Sequence, residues 1–94
     1  MTRIADIQRT VARYYGMSPA ELTSRDRDRM FAHPRQVAMY LSRELTGHSL
    51  PVIAHWFHRH HTTVIHGIRE IEKRSINHEE LRHDLWCLRK KLAK

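Results

Sequence analysis

The chain has 94 residues, a length that fits one small domain and excludes a catalytic domain joined to an accessory one. Lys and Arg total 17 against 10 Asp and Glu, so the formal net charge is +7 and polyanions are the expected partners, nucleic acid ahead of an anionic membrane surface. Because only 3 Gly and 3 Pro accompany 40% hydrophobic residues, the composition argues against an all-β fold and favours a mostly helical one.

The first quarter of the chain carries signals for two helices. Hydrophobic residues at intervals of three and four, from Ile4 to Val11, predict an amphipathic helix that ends at Gly16. The run Ser18-Pro19-Ala20-Glu21 combines a cap residue, a proline at the first helical position and a glutamate three residues after the serine. It predicts a short helical turn that closes near Leu22.

A charged segment precedes the third predicted helix. Arginine and aspartate alternate over residues 25–29, so residues 24–33 predict a solvated loop. Pro34 predicts the start of the following helix, and Gly47 suits its C-cap. The buried face of that helix consists of Val37, Ala38, Leu41 and Leu45.

The centre of the chain has the order of a helix-turn-helix. Ser49 is the candidate N-cap of a short helix over Leu50–Phe57, and a polar turn over His58–His60 leads into a longer helix from about His61 to Arg74. In that motif the second helix enters the major groove of DNA with its N-terminal residues. Helix pairs with short turns also occur in ordinary all-α domains, so the order alone does not establish DNA binding.

The last predicted helix follows an interruption over residues 75–77. Asn77 with Glu80 forms a capping box ahead of it. Its inward face is a stripe of leucines at intervals of four, three and four, namely Leu81, Leu85, Leu88 and Leu92.

The central segment contains no carboxylate. Between Glu44 and Glu70 there is no Asp or Glu, while Arg59, Arg69 and six His are present. A surface that lies against phosphates excludes acidic side chains, so this stretch favours nucleic-acid binding, although chance in a basic protein is the alternative. The candidate base-reading side chains at the start of the second helix are His60, His61, Thr62 and Thr63.

Several separated runs resemble the C-terminal DNA-binding domain (domain IV) of DnaA, the bacterial chromosomal replication initiator. They are Pro34–Leu41, Arg43–Thr46, Ser49–Pro51 and Arg59–His66, in the order of that family and near its spacing. The resemblance implies an all-α, Trp-repressor-like domain of about five to six helices over residues 1–94, with the helix-turn-helix at about 49–74. It also implies binding to double-stranded DNA at DnaA-box-like sites, with regulation of replication initiation or transcription as the role.

The resemblance assigns roles to individual residues. Arg27 matches the basic-loop arginine that reaches the minor groove, while His61, Thr62 and Thr63 match the signature that contacts bases in the major groove. His60 stands where the family has a base-reading Asp, in a turn that is one residue shorter than usual. Phosphate contacts are expected at Arg25, Arg29, Arg43, Leu50, Pro51 and Arg59.

Other features of the sequence argue against enzymatic activity. No Gly-rich phosphate loop is present, so the chain offers no ATP site and we expect no cofactor. The histidine cluster could suggest a metal site or a nuclease, but no acidic or cysteine ligands accompany it, and we expect neither. The cluster is better interpreted as a positive surface that responds to pH, because unperturbed histidine titrates near ~6.5.

The remaining expectations concern partners and location. The alternative function is a protein-interaction module or adaptor of the replication machinery, or a non-specific DNA binder. Trp56 and Trp86 could anchor such an interface, although in so small a domain we expect both to be partly buried core residues. No apolar run approaches the length of a membrane span, and Cys87 is the only cysteine, so we expect a cytoplasmic, nucleoid-associated monomer.

Overall fold

The computed structural model describes residues 2–25 and 28–93, except for the side chain of Asp28. Within these residues the chain forms six helices and no strand, which confirms the all-α prediction. The helices are α1 (Ile4–Tyr14), α2 (Pro19–Thr23), α3 (Asp28–Thr46), α4 (Leu50–Phe57), α5 (His61–Asn77) and α6 (Glu79–Leu92).

One hydrophobic core joins all six helices. The central pair is α3 and α5, with α1 packed on α3 and α6 packed on α1 and α5. Each large aliphatic side chain buried there contributes about 1.5–3 kcal/mol relative to exposure. The largest fully buried side chains are Phe57, Ile7, Leu22, Met39, Leu41, Ile53, Ile71, Leu81, Leu88, Val11, Val37 and Val64. This core fixes α4 and α5 relative to each other.

Two predicted N-caps are confirmed. The Ser18 hydroxyl accepts from the backbone N–H of Glu21 at 3.1 Å, and the Glu21 carboxylate accepts from the Ser18 N–H at 2.9 Å. The Ser49 hydroxyl accepts from the Val52 N–H at 3.4 Å and so caps α4. Each cap satisfies a donor that the first turn of a helix leaves without an internal partner.

The predicted loop over residues 24–33 is wrong in its second half. Helix α3 begins at Asp28, and Pro34 lies inside it. A proline removes one N–H and costs a helix hydrogen bond, but tertiary contacts beside it offset that loss. The neighbouring Arg35 is only 5% exposed and binds the backbone carbonyls of Leu22, near the end of α2, and of Ser24, and His33 contacts the side chain of Arg74.

The boundary between α5 and α6 also differs from the prediction. Helix α5 continues to Asn77, and His78 replaces Asn77 as the cap of α6, with its Nδ1 accepting from the Leu81 N–H at 3.1 Å. The extension is stabilised because Arg82 donates to the carbonyls of Ser75 and Ile76 at 2.8 and 3.0 Å. Carbonyls at a helix C-terminus otherwise lack partners.

The two tryptophans are not core residues, contrary to expectation. Trp56 is 43% exposed and Trp86 is 55% exposed. Phe57 already fills the inward position of α4, and the leucine stripe fills that of α6, so both indoles lie on outward positions. Among the helices described, none combines the length and the hydropathy that a membrane crossing requires.

Candidate nucleic-acid interface

A single left-handed residue reverses the chain between α4 and α5. His58 has φ 54° and ψ 43°, and its N–H donates to the His55 carbonyl at 3.3 Å. The Arg59 N–H then donates to the Ala54 carbonyl at 3.1 Å. Histidine is among the few residues other than glycine that adopt this conformation with some frequency. The polar turn predicted over residues 58–60 is therefore confirmed.

The Arg59 side chain lies along this turn. Its Nη1 donates to the carbonyls of Phe57 and His58, each at 3.3 Å, and its Nη2 donates to the Ser24 carbonyl at 2.9 Å. The guanidinium thus covers the C-terminal carbonyls of α4 and ties the turn to the segment after α2. Its phosphate contact stays a prediction.

A second arginine, Arg35 of α3, binds the same part of the chain around Ser24. Arg35 Nε donates to the Leu22 carbonyl at 2.8 Å, and its Nη2 donates to the Ser24 carbonyl at 2.9 Å. Ser24 therefore accepts from two guanidinium groups, one on α3 and one in the turn. Sequence reasoning missed Arg35, because a cation near the start of a predicted helix normally faces solvent.

Two exposed arginines, Arg25 and Arg29, lie on either side of Arg27 in the sequence. Arg25 is exposed directly after Ser24, and Arg29 is exposed in the first turn of α3. Arg27, the expected minor-groove residue, lies outside the described residues. The two arginines on either side of it are thus presented outward from anchored backbone.

The first turn of α5 is exposed and free of acidic residues. The Nδ1 atom of His60 accepts from the Thr62 N–H at 3.3 Å and lies 2.9 Å from the Thr62 hydroxyl, so His60 is the N-cap. The ring of His61 lies 4.3 Å from that of His60, centroid to centroid, and Thr63 is exposed beside them. Because a helix N-terminus carries a partial positive charge, this turn presents a positive surface with four exposed polar side chains.

Three of the expected phosphate contacts, Arg43, Leu50 and Pro51, lie near the start of α4. Pro51 is exposed in the first turn, and Arg43 Nη1 donates to the His48 carbonyl at 2.6 Å just before it. Arg43 and Leu50 line a shallow groove that also includes Arg69, an exposed residue of α5. Sequence reasoning did not assign a contact to Arg69, although the carboxylate-free stretch that ends there was the available signal.

Close packing of α5 on α3 explains a glycine in the middle of α5. Gly67 is buried, and a Cβ atom at this position would lie 3.2 Å from both Gln36 Cγ and Met39 Sδ. The helix-propensity cost of about 1 kcal/mol for glycine is therefore associated with a close approach of the two helices.

The far half of α5 is attached to α3 through Arg74. Its Nη1 donates to His33 Nδ1 at 2.8 Å, and its Nη2 donates to the Gln36 side-chain carbonyl at 3.0 Å. Its Nε donates to Glu70 at 3.2 Å. Burial, together with the charge of Arg74, lowers the pKa of His33. The neutral imidazole is the form that can accept this hydrogen bond.

The histidines of the turn do not form a metal centre. Within residues 2–25 and 28–93, no three His, Cys, Asp or Glu side chains are grouped closely enough to hold an ion. What the turn offers instead is a set of hydrogen-bonding side chains on a positive helix end.

Comparisons with known proteins place this arrangement in context. A family model described as the bacterial DnaA protein helix-turn-helix matches residues 4–71. The chain is 52% identical over 84 residues to the chromosomal replication initiator protein DnaA of Dechloromonas aromatica, and 50% identical over 86 residues to that of Zymomonas mobilis. These matches cover 88% and 90% of this chain but 18% of each relative, so the chain spans about a fifth of their length. A crystal structure of a DNA replication initiation factor is similar with a TM-score of 0.82 at 34% identity, over 95% of this chain and 27% of that one.

Proposed function

The chain belongs to the bacterial DnaA helix-turn-helix family, and on that premise we propose that it binds double-stranded DNA sequence-specifically at DnaA-box-like sites. Occupancy of such sites would regulate replication initiation or transcription. The observation that supports this most directly is the N-terminal turn of α5, which is exposed, positive and without a carboxylate.

In this proposal α5 enters the major groove with its N-terminus first. His60, His61, Thr62 and Thr63 contact base edges, where the threonine methyl groups can pack on thymine methyls. Arg27 reaches the adjacent minor groove. Phosphates are contacted by Arg25, Arg29, Arg43, Arg59, Arg69 and the backbone at Leu50 and Pro51.

His60 gives the proposed recognition a particular chemistry. Its Nδ1 accepts the capping hydrogen bond of α5, so its Nε2 carries the proton and acts as a donor. A donor suits the acceptor atoms of guanine, adenine N7 or thymine O4. An aspartate, by contrast, accepts from the amino group of cytosine. We therefore expect the preferred site to depart from the family's site at the base pair that residue 60 faces.

The decisive experiment is selection of bound duplexes from a random pool. We expect enrichment of a sequence related to the DnaA box, and the affinity for the winning sequence should fall steeply with salt. If no sequence is enriched, the proposal of specific recognition fails. The chain would then be a non-specific binder or a protein-interaction module.

Single substitutions test the assignment within the interface. Arg27→Ala should weaken specific binding by about 1–3 kcal/mol, since it removes a base contact. Lys90→Ala is the control, because Lys90 is exposed on α6 outside the helix-turn-helix, and it should change duplex affinity little. Equal losses from both variants would contradict the assignment.

A further inference from the structure

Two side chains that can ligate a metal lie next to each other on α6. His83 and Cys87 are four residues apart, so they share the side of the helix that is turned away from the leucine stripe. The Cys87 Sγ atom lies 3.4 Å from His83 Nε2. A tetrahedral zinc ion bonds thiolate sulfur at about 2.3 Å and imidazole nitrogen at about 2.0 Å, which requires these two ligand atoms to be roughly 3.5 Å apart. The pair therefore has the spacing of a zinc chelate.

This pair supplies half of a zinc site. Structural zinc takes four thiolate or imidazole ligands. Among the residues that the structure describes, no third His, Cys, Asp or Glu is grouped with these two closely enough to hold an ion. His83 is exposed and Cys87 is half-buried, so a ligand set from another molecule can approach both. A second copy of the same pair would complete a set of two thiolates and two imidazoles.

The charges of α6 favour an antiparallel arrangement of two copies. Glu79 and Glu80 lie in its first turn, Lys90 and Lys91 lie in its last turn, and none of the four has an ion pair within the described ranges. We place a two-fold axis at the level of residue 85, midway along the chelating pair. Glu79 then lies level with Lys90 of the second copy, and Glu80 with its Lys91, each to within about the 1.5 Å rise of one residue. A parallel pair of helices would instead bring like charges together.

The exposed indole of α6 borders the same contact. Trp86 is 55% exposed, and the His83 ring stacks on it with centroids 6.2 Å apart and planes at 22°. The Lys90 Nζ atom lies 4.8 Å from the centroid of the indole. Tryptophan is enriched in the cores of protein interfaces. A second helix docked along the chelating pair would cover part of this indole beside the metal.

We propose that two copies of the chain bind one zinc ion between their α6 helices, through His83 and Cys87 of each copy, and so form an antiparallel dimer. Each thiol releases its proton to solvent as its sulfur bonds to zinc, and each neutral imidazole binds through Nε2. One pair of helices buries too little surface for a stable dimer, so the association depends on the metal. The monomer expected from the sequence is then the metal-free state.

The dimer would carry two recognition surfaces. The outward face of α6 lies outside the duplex interface proposed above, which consists of α4, the first turn of α5 and the segment around residues 25–29. One dimer could therefore hold two duplex sites at once. This consequence rests on the proposed function, whereas the dimer itself does not and is tested without DNA.

Sedimentation velocity with and without Zn²⁺ tests the dimer. A phosphine reductant keeps Cys87 as a thiol, so that no disulfide joins two copies. We expect the mass to double at one Zn²⁺ for every two chains and to return to that of the monomer when EDTA is added. Replacement of Zn²⁺ by Co²⁺ should give the visible absorption of a tetrahedral, thiolate-ligated ion.

Ligand variants test where the metal binds. His83→Ala and Cys87→Ala should each abolish the zinc-dependent doubling of mass. The control His55→Ala removes an exposed histidine of α4 and should leave the doubling unchanged. Because none of these side chains belongs to the hydrophobic core, all three variants should fold, as circular dichroism will show.

A charge exchange tests the antiparallel arrangement. Glu80→Lys and Lys91→Glu should each weaken the zinc-dependent dimer several-fold, because like charges would then face each other across the contact. The double variant restores an opposite pair in reversed order, so it should regain most of the parent affinity.

Three results would overturn the proposal. They are a chain that stays monomeric at saturating Zn²⁺, a zinc-dependent dimer that survives His83→Ala or Cys87→Ala, and a double charge variant whose loss equals the sum of the two single losses. Failure of the random-pool selection would alter none of these measurements, so the dimer and the proposed function are refuted separately.

Discussion

Replacement of Arg59 by alanine distinguishes a positioning role from a phosphate contact. The side chain donates to the Ser24 carbonyl at 2.9 Å and to the carbonyls of Phe57 and His58 at 3.3 Å. Hydrogen bonds from a charged donor contribute about 1.5–3 kcal/mol when buried, but Arg59 is only half-buried and two of the distances are long. We therefore assign about 1 kcal/mol to the bond with Ser24 and about 0.5 kcal/mol to each of the others. The free energy of unfolding should fall by about 2 kcal/mol.

Thermal unfolding and the salt dependence of DNA binding together distinguish the positioning role of Arg59 from a phosphate contact. For a domain of this size, a loss of about 2 kcal/mol lowers Tm by roughly 10 °C. If the guanidinium makes contacts only within the protein, the slope of log K against log salt, measured well below Tm, stays unchanged. If it also neutralises a phosphate, that slope falls by about 0.9.

Two further variants complete the comparison. Arg59→Lys should recover little stability, because one ammonium group cannot span the carbonyls that the guanidinium fork reaches. Arg69→Ala is the control, since Arg69 is exposed on α5 and has no ion pair in the described residues. It should reduce the salt slope by about 0.9 and leave Tm within a few degrees. The reasoning is refuted if Arg59→Ala behaves as Arg69→Ala does, with a reduced slope and an unchanged Tm.

Two other predictions concern histidines. Because the folded chain holds the pKa of His33 below the ~6.5 of free histidine, the unfolded chain takes up the proton first as the pH falls, and stability is lost from about pH 6.5 down to the folded pKa. His33→Asn keeps an acceptor for Arg74 but does not titrate. Between about pH 7.5 and about pH 5.5 its urea midpoint should therefore fall less than that of the parent or of the exposed control His48→Asn. An equal fall in all three proteins would contradict this role of His33. His60→Asp should stabilise α5 by about 0.5–1 kcal/mol, because aspartate is a strong N-cap and its charge lies at the positive helix end. The same variant should shift selection towards the standard DnaA box, and an unchanged preference would show that the shortened turn is aligned incorrectly.

Local signals predicted most of the helices. Ser18, Ser49 and Gly47 mark boundaries through hydrogen bonds or a positive φ that depend only on nearby residues, and these boundaries agree with the structure. The start of α3 could not be predicted in this way. The helix begins with the charged pair Asp28 and Arg29 and contains Pro34 seven residues in, and its first turns are held by contacts with residues distant in sequence, such as that of His33 with Arg74. Tertiary contacts of this kind override local propensity.

In the candidate site, too, features set by the local sequence could be predicted and features set by distant contacts could not. The exposed turn from His60 to Thr63 could be predicted, because its four residues are polar and precede Val64, the first buried position of α5. The role of Arg35 could not be, since nothing in the sequence pairs a helical arginine with the carbonyl of Ser24, eleven residues earlier. The prediction that Trp56 and Trp86 are core residues was wrong for a related reason. Residue type predicted burial, but the inward positions of α4 and α6 are already filled by Phe57 and leucines.

The shared carbonyl of Ser24 couples the two halves of the proposed recognition surface. Arg35 holds it from α3 and Arg59 holds it from the turn, so the segment that leads to Arg27 and the turn that leads to His60 are fixed to one point. The shorter turn that the resemblance implies would therefore alter the spacing between the proposed minor-groove and major-groove contacts as well as the start of α5. His58 achieves the reversal alone with a left-handed conformation, and the turn keeps its hydrogen bonds to α4. The altered spacing, together with the change from aspartate to histidine at position 60, gives a physical reason to expect a site that differs from the family's box in geometry as well as in one base pair.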